Sequence, residues 1–99
     1  MANYVAHHTK KRERLARLEQ DLERSIRSGE PREHQLVLAD EVRLGRIRVL
    51  RAERAEFEPA ARGHSDRLAA IDEQIASLEA IASEKILTEY SARLDHVSA

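Results

Sequence analysis

A chain of 99 residues makes one small domain. Charged residues are 35% of it and aromatic residues 3%, and with no Cys there is neither a disulfide framework nor a thiolate zinc site. No apolar run is long enough to span a bilayer, and three glycines and two prolines are too few for a turn-rich β-sandwich.

The net charge of −1 is unevenly spread. Residues 1–29 hold seven basic groups against four acids, residues 30–62 seven of each, and residues 63–99 three basic groups against seven acids. A basic beginning and an acidic end either pair with one another or leave the basic part to a polyanion. The first eleven residues lack the apolar core of a secretory signal, so a cytoplasmic location is the default expectation.

Two breaks divide the chain into three expected helices, about 4–28, 32–58 and 66–97, within a single domain spanning 1–99. The first helix has Asn3 as its best cap and a narrow stripe of Leu15, Leu18, Leu22 and Ile26 at coiled-coil spacing. Its seam continues through Tyr4, His8, Lys11 and Ser25. The break over 28–31 reads as stop and start: Gly29 suits the left-handed position after a helix, and Pro31 suits the first turn of the next.

The middle helix is apolar on two sides. Leu36, Ala39, Ile47, Leu50 and Phe57 fall on one, and Leu38, Val42, Gly45, Val49 and Ala52 on nearly the opposite one. Two stripes require two partners, and Gly45 and Ala52 let another backbone come close. A strand over 42–50 is the competing reading, weakened by a parity change between Leu44 and Ile47. The arginines Arg43, Arg46, Arg48, Arg51 and Arg54 spread around this helix, and acids of the last helix (Asp72, Glu73, Glu79, Glu84, Glu89) are available to meet them.

The second break spans 59–65, where Pro59 cannot continue a helix and Ser65 caps the next. The last helix carries a broad stripe of Leu68, Ile71, Ile75, Leu78, Ala82, Ile86, Tyr90 and Val97, widened by Leu87 and Leu94. The eleven-residue recurrence of Ile75, Ile86 and Val97 predicts one straight or slightly right-handed helix.

These stripes predict an all-α, three-helix antiparallel coiled-coil-like bundle whose core is completed by oligomerisation, most simply as a homodimer. The stripe Leu38, Val42, Gly45, Val49 and Ala52 is the expected interface for self-association or partner docking. No catalytic, cofactor or metal site is expected: His7, His8, His34, His64 and His96 form no Glu-x-x-His or His-x-x-x-His pair. The expected function is that of a non-enzymatic interaction protein, an adaptor, scaffold or assembly factor, with itself and another protein as partners and no membrane. The first alternative is nucleic-acid association through Lys10, Lys11, Arg12, Arg14 and Arg17, a cluster without an interleaved aromatic. The second is a small all-helical dimeric enzyme that binds an anionic ligand.

Overall fold

A computed structural model describes the backbone of residues 2–57 and 65–98 and the side chains of 9–56 and 66–95. Among the described residues four α-helices follow one another: α1 (Ala2–Arg27), α2 (Arg32–Phe57), α3 (Ser65–Ala80) and α4 (Ser83–Ser98). Among these residues the all-α expectation holds, and the count of three is corrected to four. The break at Pro59 and the side chains of Tyr4, His7, His8, Phe57, His64, His96 and Val97 lie outside the described residues.

The α1–α2 turn forms as its residues dictate. Gly29 takes φ +66°, and the amides of Glu30 and Gly29 bond the carbonyls of Ser25 and Ile26 at 3.1 Å each. This is a Schellman closure, which needs a residue that enters the left-handed region cheaply. Pro31 sits one position earlier than the first turn. Its carbonyl accepts from His34 and Gln35 at 3.0 and 3.1 Å and so opens α2.

The middle segment is one continuous helix, and the strand reading over 42–50 is set aside. It is flanked on both apolar sides. On one, Leu38 and Val42 share a cluster with Leu22 of α1, and Gly45 lies beneath Leu15 and Leu18. On the other, Ile47 and Leu50 pack with Ile71, Ile75 and Leu78 of α3. From Leu38 to Gly45 the expected interface stripe therefore meets α1 of the same chain; Val42 is fully buried, Val49 is 9% exposed, and Leu38 and Ala52 are half-buried. At Val42 and Gly45 a second chain reaches it only by displacing helices of this chain, whereas Val49 also lines an open trough between α1 and α3.

The expected single helix over 66–97 breaks at Ile81-Ala82. Neither Gly nor Pro is present there. The cause is that its stripe serves two cores. Ile71 and Ile75 of α3 face Ile47, whereas Ile86, Leu87 and Tyr90 of α4 join Leu22, Ala39 and Val42. Among the described residues α3 packs on α2, whereas α4 packs on both α2 and α1. A continuous rod cannot reach both clusters, and each fully buried aliphatic side chain contributes about 1.5–3 kcal/mol. Glu84, acidic in the first turn of α4, favours a helix start at this point.

The break is pinned to α2 by one ion pair. Arg43 bonds Asp40 (2.9 Å) and donates to the Leu78 carbonyl (3.2 Å) just before the break. Ser83, just after it, donates to the same Asp40 oxygen at 2.9 Å. Burial would raise the Asp40 carboxyl, but the hydrogen bond from Ser83 and the adjacent Arg43 outweigh it and hold the group below its ordinary value.

Candidate functional site

Among the described residues α1 and α3 both lean chiefly on α2, and a trough runs between them. Its floor is Arg46, Val49 and Leu50 of α2. Leu15 of α1 forms one wall, Gln74, Ser77 and Leu78 of α3 the other, and the volume is about 430 Å³. Further toward the start of α2, Ile86, Leu87 and Tyr90 of α4 cover Ala39 and Val42. The trough is the continuation of that seam without a covering helix.

One end of the trough is closed by a polar cluster joining three helices. Arg46 donates to Glu89 Oε2 and to the Tyr90 hydroxyl, each at 2.8 Å, and the Tyr90 hydroxyl donates to Glu19 of α1. Arg93 pairs with Glu89 at 3.2 Å and stands over the Tyr90 ring, 4.8 Å from its centroid. Tyr90 is 1% exposed. Burial, and then its bond to Glu19, push the phenol up to about 12. Burial disfavours the Arg46 charge, but bonds to Glu89 and Tyr90 raise the guanidinium above its ordinary value. The bond from Arg46 holds Glu89 below the usual carboxylate range despite partial burial. Arg46, the one member of this cluster that lines the trough, is thus paired with Glu89 and offers the trough no free ion. The salt bridge of Arg12 with Glu53, at 2.7 Å, joins α1 to α2 at the surface.

A second feature lies where α1 and α2 meet. Lys11 and Arg14 of α1 and Arg48 of α2 surround a crevice of about 40 Å³ whose remaining lining is Leu15, Leu18 and Gly45. Of the basic cluster expected to contact a polyanion, Lys10, Lys11, Arg14 and Arg17 have no ion-pair partner among the described residues, whereas Arg12 is committed to Glu53.

The other α2 arginines meet acids as the sequence suggested: Arg46 with Glu89, Arg51 with Glu79 at 3.3 Å, and Arg54 with Asp72 at 2.6 Å. His34 lies 3.5 Å from Glu30. Among the described residues no group of three or more His, Asp or Glu converges as a metal site requires, and no helix is long and apolar enough to cross a membrane.

Sequence reasoning missed three things. The first is the trough, which arises from the α3–α4 break. The second is the role of Tyr90: a Tyr in an otherwise aliphatic stripe signals that its hydroxyl has a buried partner. The third is Val37 and Leu44, 57% and 36% exposed, which lie seven residues apart on the side of α2 that neither α1 nor α3 covers. No family model matches the chain, and neither a curated protein nor a solved structure does.

Proposed function

We propose that the chain is a non-enzymatic helical interaction protein, an adaptor, scaffold or assembly factor, that receives an amphipathic helix of a partner protein in the trough between α1 and α3. The observation that carries this reading is the open trough between α1 and α3, with the buried Val49 and the half-buried Leu50 in its floor. A helix presenting aliphatic anchors at i, i+3 or i+4, and i+7 matches such a trough. The continuity of the seam with the part covered by α4 supports a helix as the occupant. The partner's stripe is aliphatic and uncharged, because Arg46 at the floor is already neutralised by Glu89.

A second copy of the chain fits this role less well. The exposed large apolar side chains among the described residues are Val37 and Leu44, a sparse pair rather than a stripe that could fill a trough. Self-association, expected from the sequence, would use that face of α2. Sedimentation at micromolar concentration tests it, with a dimer weakened by Leu44→Glu as the supporting result.

The trough is tested by a photo-crosslinking residue at Leu50 in the native host, with one at exposed Ala55 as control. The expected product is a crosslink, specific to position 50, to a partner segment with an aliphatic helical stripe. A synthetic peptide of that segment should then bind the purified chain. Ser77→Arg, which fills the trough from an exposed position on α3, should weaken the peptide by at least about tenfold without altering the fold. Equal crosslinking at both positions, or undiminished peptide binding to Ser77→Arg, overturns the reading.

A further inference from the structure

We infer that the joint face of α1 and α2 carrying Lys10, Lys11, Arg14, Arg17 and Arg48 is a phosphate-contacting surface for the backbone of a nucleic acid. The inference goes beyond the trough and uses none of its lining except the apolar base that Leu15 shares.

The arginines of α2 differ in how they are partnered. Arg43, Arg46, Arg51 and Arg54 are each held by a carboxylate. Arg48 is exposed and has no ion-pair partner among the described residues. It stands instead beside two further unpaired cations, Lys11 and Arg14, across the α1–α2 seam. Gly45 is what brings them together. A Cβ built on Gly45 would lie 3.0 Å from Leu15 and 3.3 Å from Leu18, so its absence allows the close approach of α1. The close approach places cations from two helices around one crevice of about 40 Å³. In a chain with as many acids as this one, three like charges left together gain nothing from each other, and an anion relieves their repulsion.

The row extends along α1. Lys10, Arg14 and Arg17 are spaced i, i+4, i+7 and so share one side of the helix. Of the nearby acids, Glu13 is within one turn of Lys10 and Arg17 but forms no ion pair with either among the described residues, Asp21 is already paired with Arg24 at 3.6 Å, and Glu41 is two turns from Arg48 along α2. A row leading to a crevice fits a chain of regularly spaced phosphates, and guanidinium groups match phosphate oxygens in two-bond geometry. Among the described residues the exposed large apolar side chains are Val37 and Leu44 of α2, of which Leu44 is one turn from Arg48, and a single such residue beside the row makes no inserting side of the kind a membrane-surface helix has. No aromatic is interleaved either, so the contact is with phosphates and is indifferent to sequence.

The experiment is fluorescence anisotropy of the full chain with a short labelled duplex of mixed sequence. Anionic phosphatidylserine vesicles and inorganic phosphate form parallel arms. Binding is expected at about 50 mM salt, falling roughly 10²- to 10³-fold by about 200 mM, as four or five phosphate contacts require. The pair Arg14→Glu and Arg48→Glu should weaken it by about tenfold or more and flatten the salt slope. Lys85→Glu, an equal charge change at an exposed position on α4, should leave it within about twofold. All three positions are exposed, and circular dichroism checks that the variants stay folded. No binding at low salt, an equal loss in Lys85→Glu, or binding to vesicles but not to the duplex each overturns the inference. None of these results touches the trough, whose test is read by a peptide.

Discussion

The Tyr90 hydroxyl donates to the Glu19 carboxylate, and through this bond α4 is tied to α1, 71 residues earlier in the chain. The same oxygen accepts from Arg46 of α2, so one phenol joins three helices at the closed end of the trough. Tyr90→Phe keeps the ring and removes the oxygen, leaving Glu19 and Arg46 each short of a partner. It should destabilise the chain by about 1–3 kcal/mol, read as a lower urea midpoint. Glu19→Gln, which keeps an acceptor, should cost less.

The raised phenol also sets an alkaline limit. The folded state holds the Tyr90 proton to about 12, above the ordinary value of 10.0, so it binds more protons than the unfolded chain in that window. Stability is therefore unaffected by this group below about pH 10 and falls as pH rises from there to about 12, by on the order of 2 kcal/mol. Tyr90→Phe lacks that loss, so the gap between the two proteins narrows with alkali. A constant gap across the window, in urea titrations at each pH, contradicts the account.

The acid side has the opposite sign. Asp40 and Glu89 are both held below their ordinary values, so their contribution is complete above the unfolded carboxylate range and is lost as pH falls through the folded values. Glu89→Gln should be less stable near neutrality and lose less between pH 5 and pH 3 than the parent does. A parallel acid titration of the two proteins would count against it.

How far the sequence could be read follows from what each feature depends on. The Gly29-Glu30-Pro31 turn and the two-sided character of α2 depend on residues close together, and both were legible in the residue spacing. The assignment of α2's second stripe was not. A stripe of Leu38, Val42, Gly45 and Val49 announces that something packs there, but the same spacing serves α1 of the same chain or a second chain equally well. The break at Ile81-Ala82 was hidden because its cause is tertiary. Local spacing favours a continuous helix, and only the separate positions of Ile47 on one side and Leu22 on the other require two segments. Of the candidate contacts, Lys11 and Arg14 were visible as a charge run, whereas Arg48 joins them only through the closeness that Gly45 permits.

That closeness is itself testable. In a helix interior Ala is favoured over Gly by about 1 kcal/mol, but at position 45 the new methyl presses on the Leu15 and Leu18 side-chain ends at 3.0 and 3.3 Å. Because those ends are flexible, Gly45→Ala should change stability by less than about 1 kcal/mol. Gly45→Val adds bulk that two leucines cannot both evade and should destabilise by about 2 kcal/mol, as overpacking does. Urea denaturation of the two variants separates a close helix contact from a loose one, in which both would be neutral.

Ser25 offers a gain rather than a loss. It is 2% exposed in the α1 seam, and its Oγ has no hydrogen-bond partner among the described residues. A buried hydroxyl without a partner carries a desolvation cost that its β-carbon does not repay. Ser25→Ala removes the oxygen, keeps the β-carbon and raises helix propensity by a few tenths of a kcal/mol. Stability should rise by about 1 kcal/mol, seen as a higher urea midpoint with an unchanged slope. The same slope matters, because it shows that the packing of α1 is retained. A fall in the midpoint would mean that Ser25 Oγ meets a partner in the folded chain, and the interior beneath α1 would then have to be read as polar.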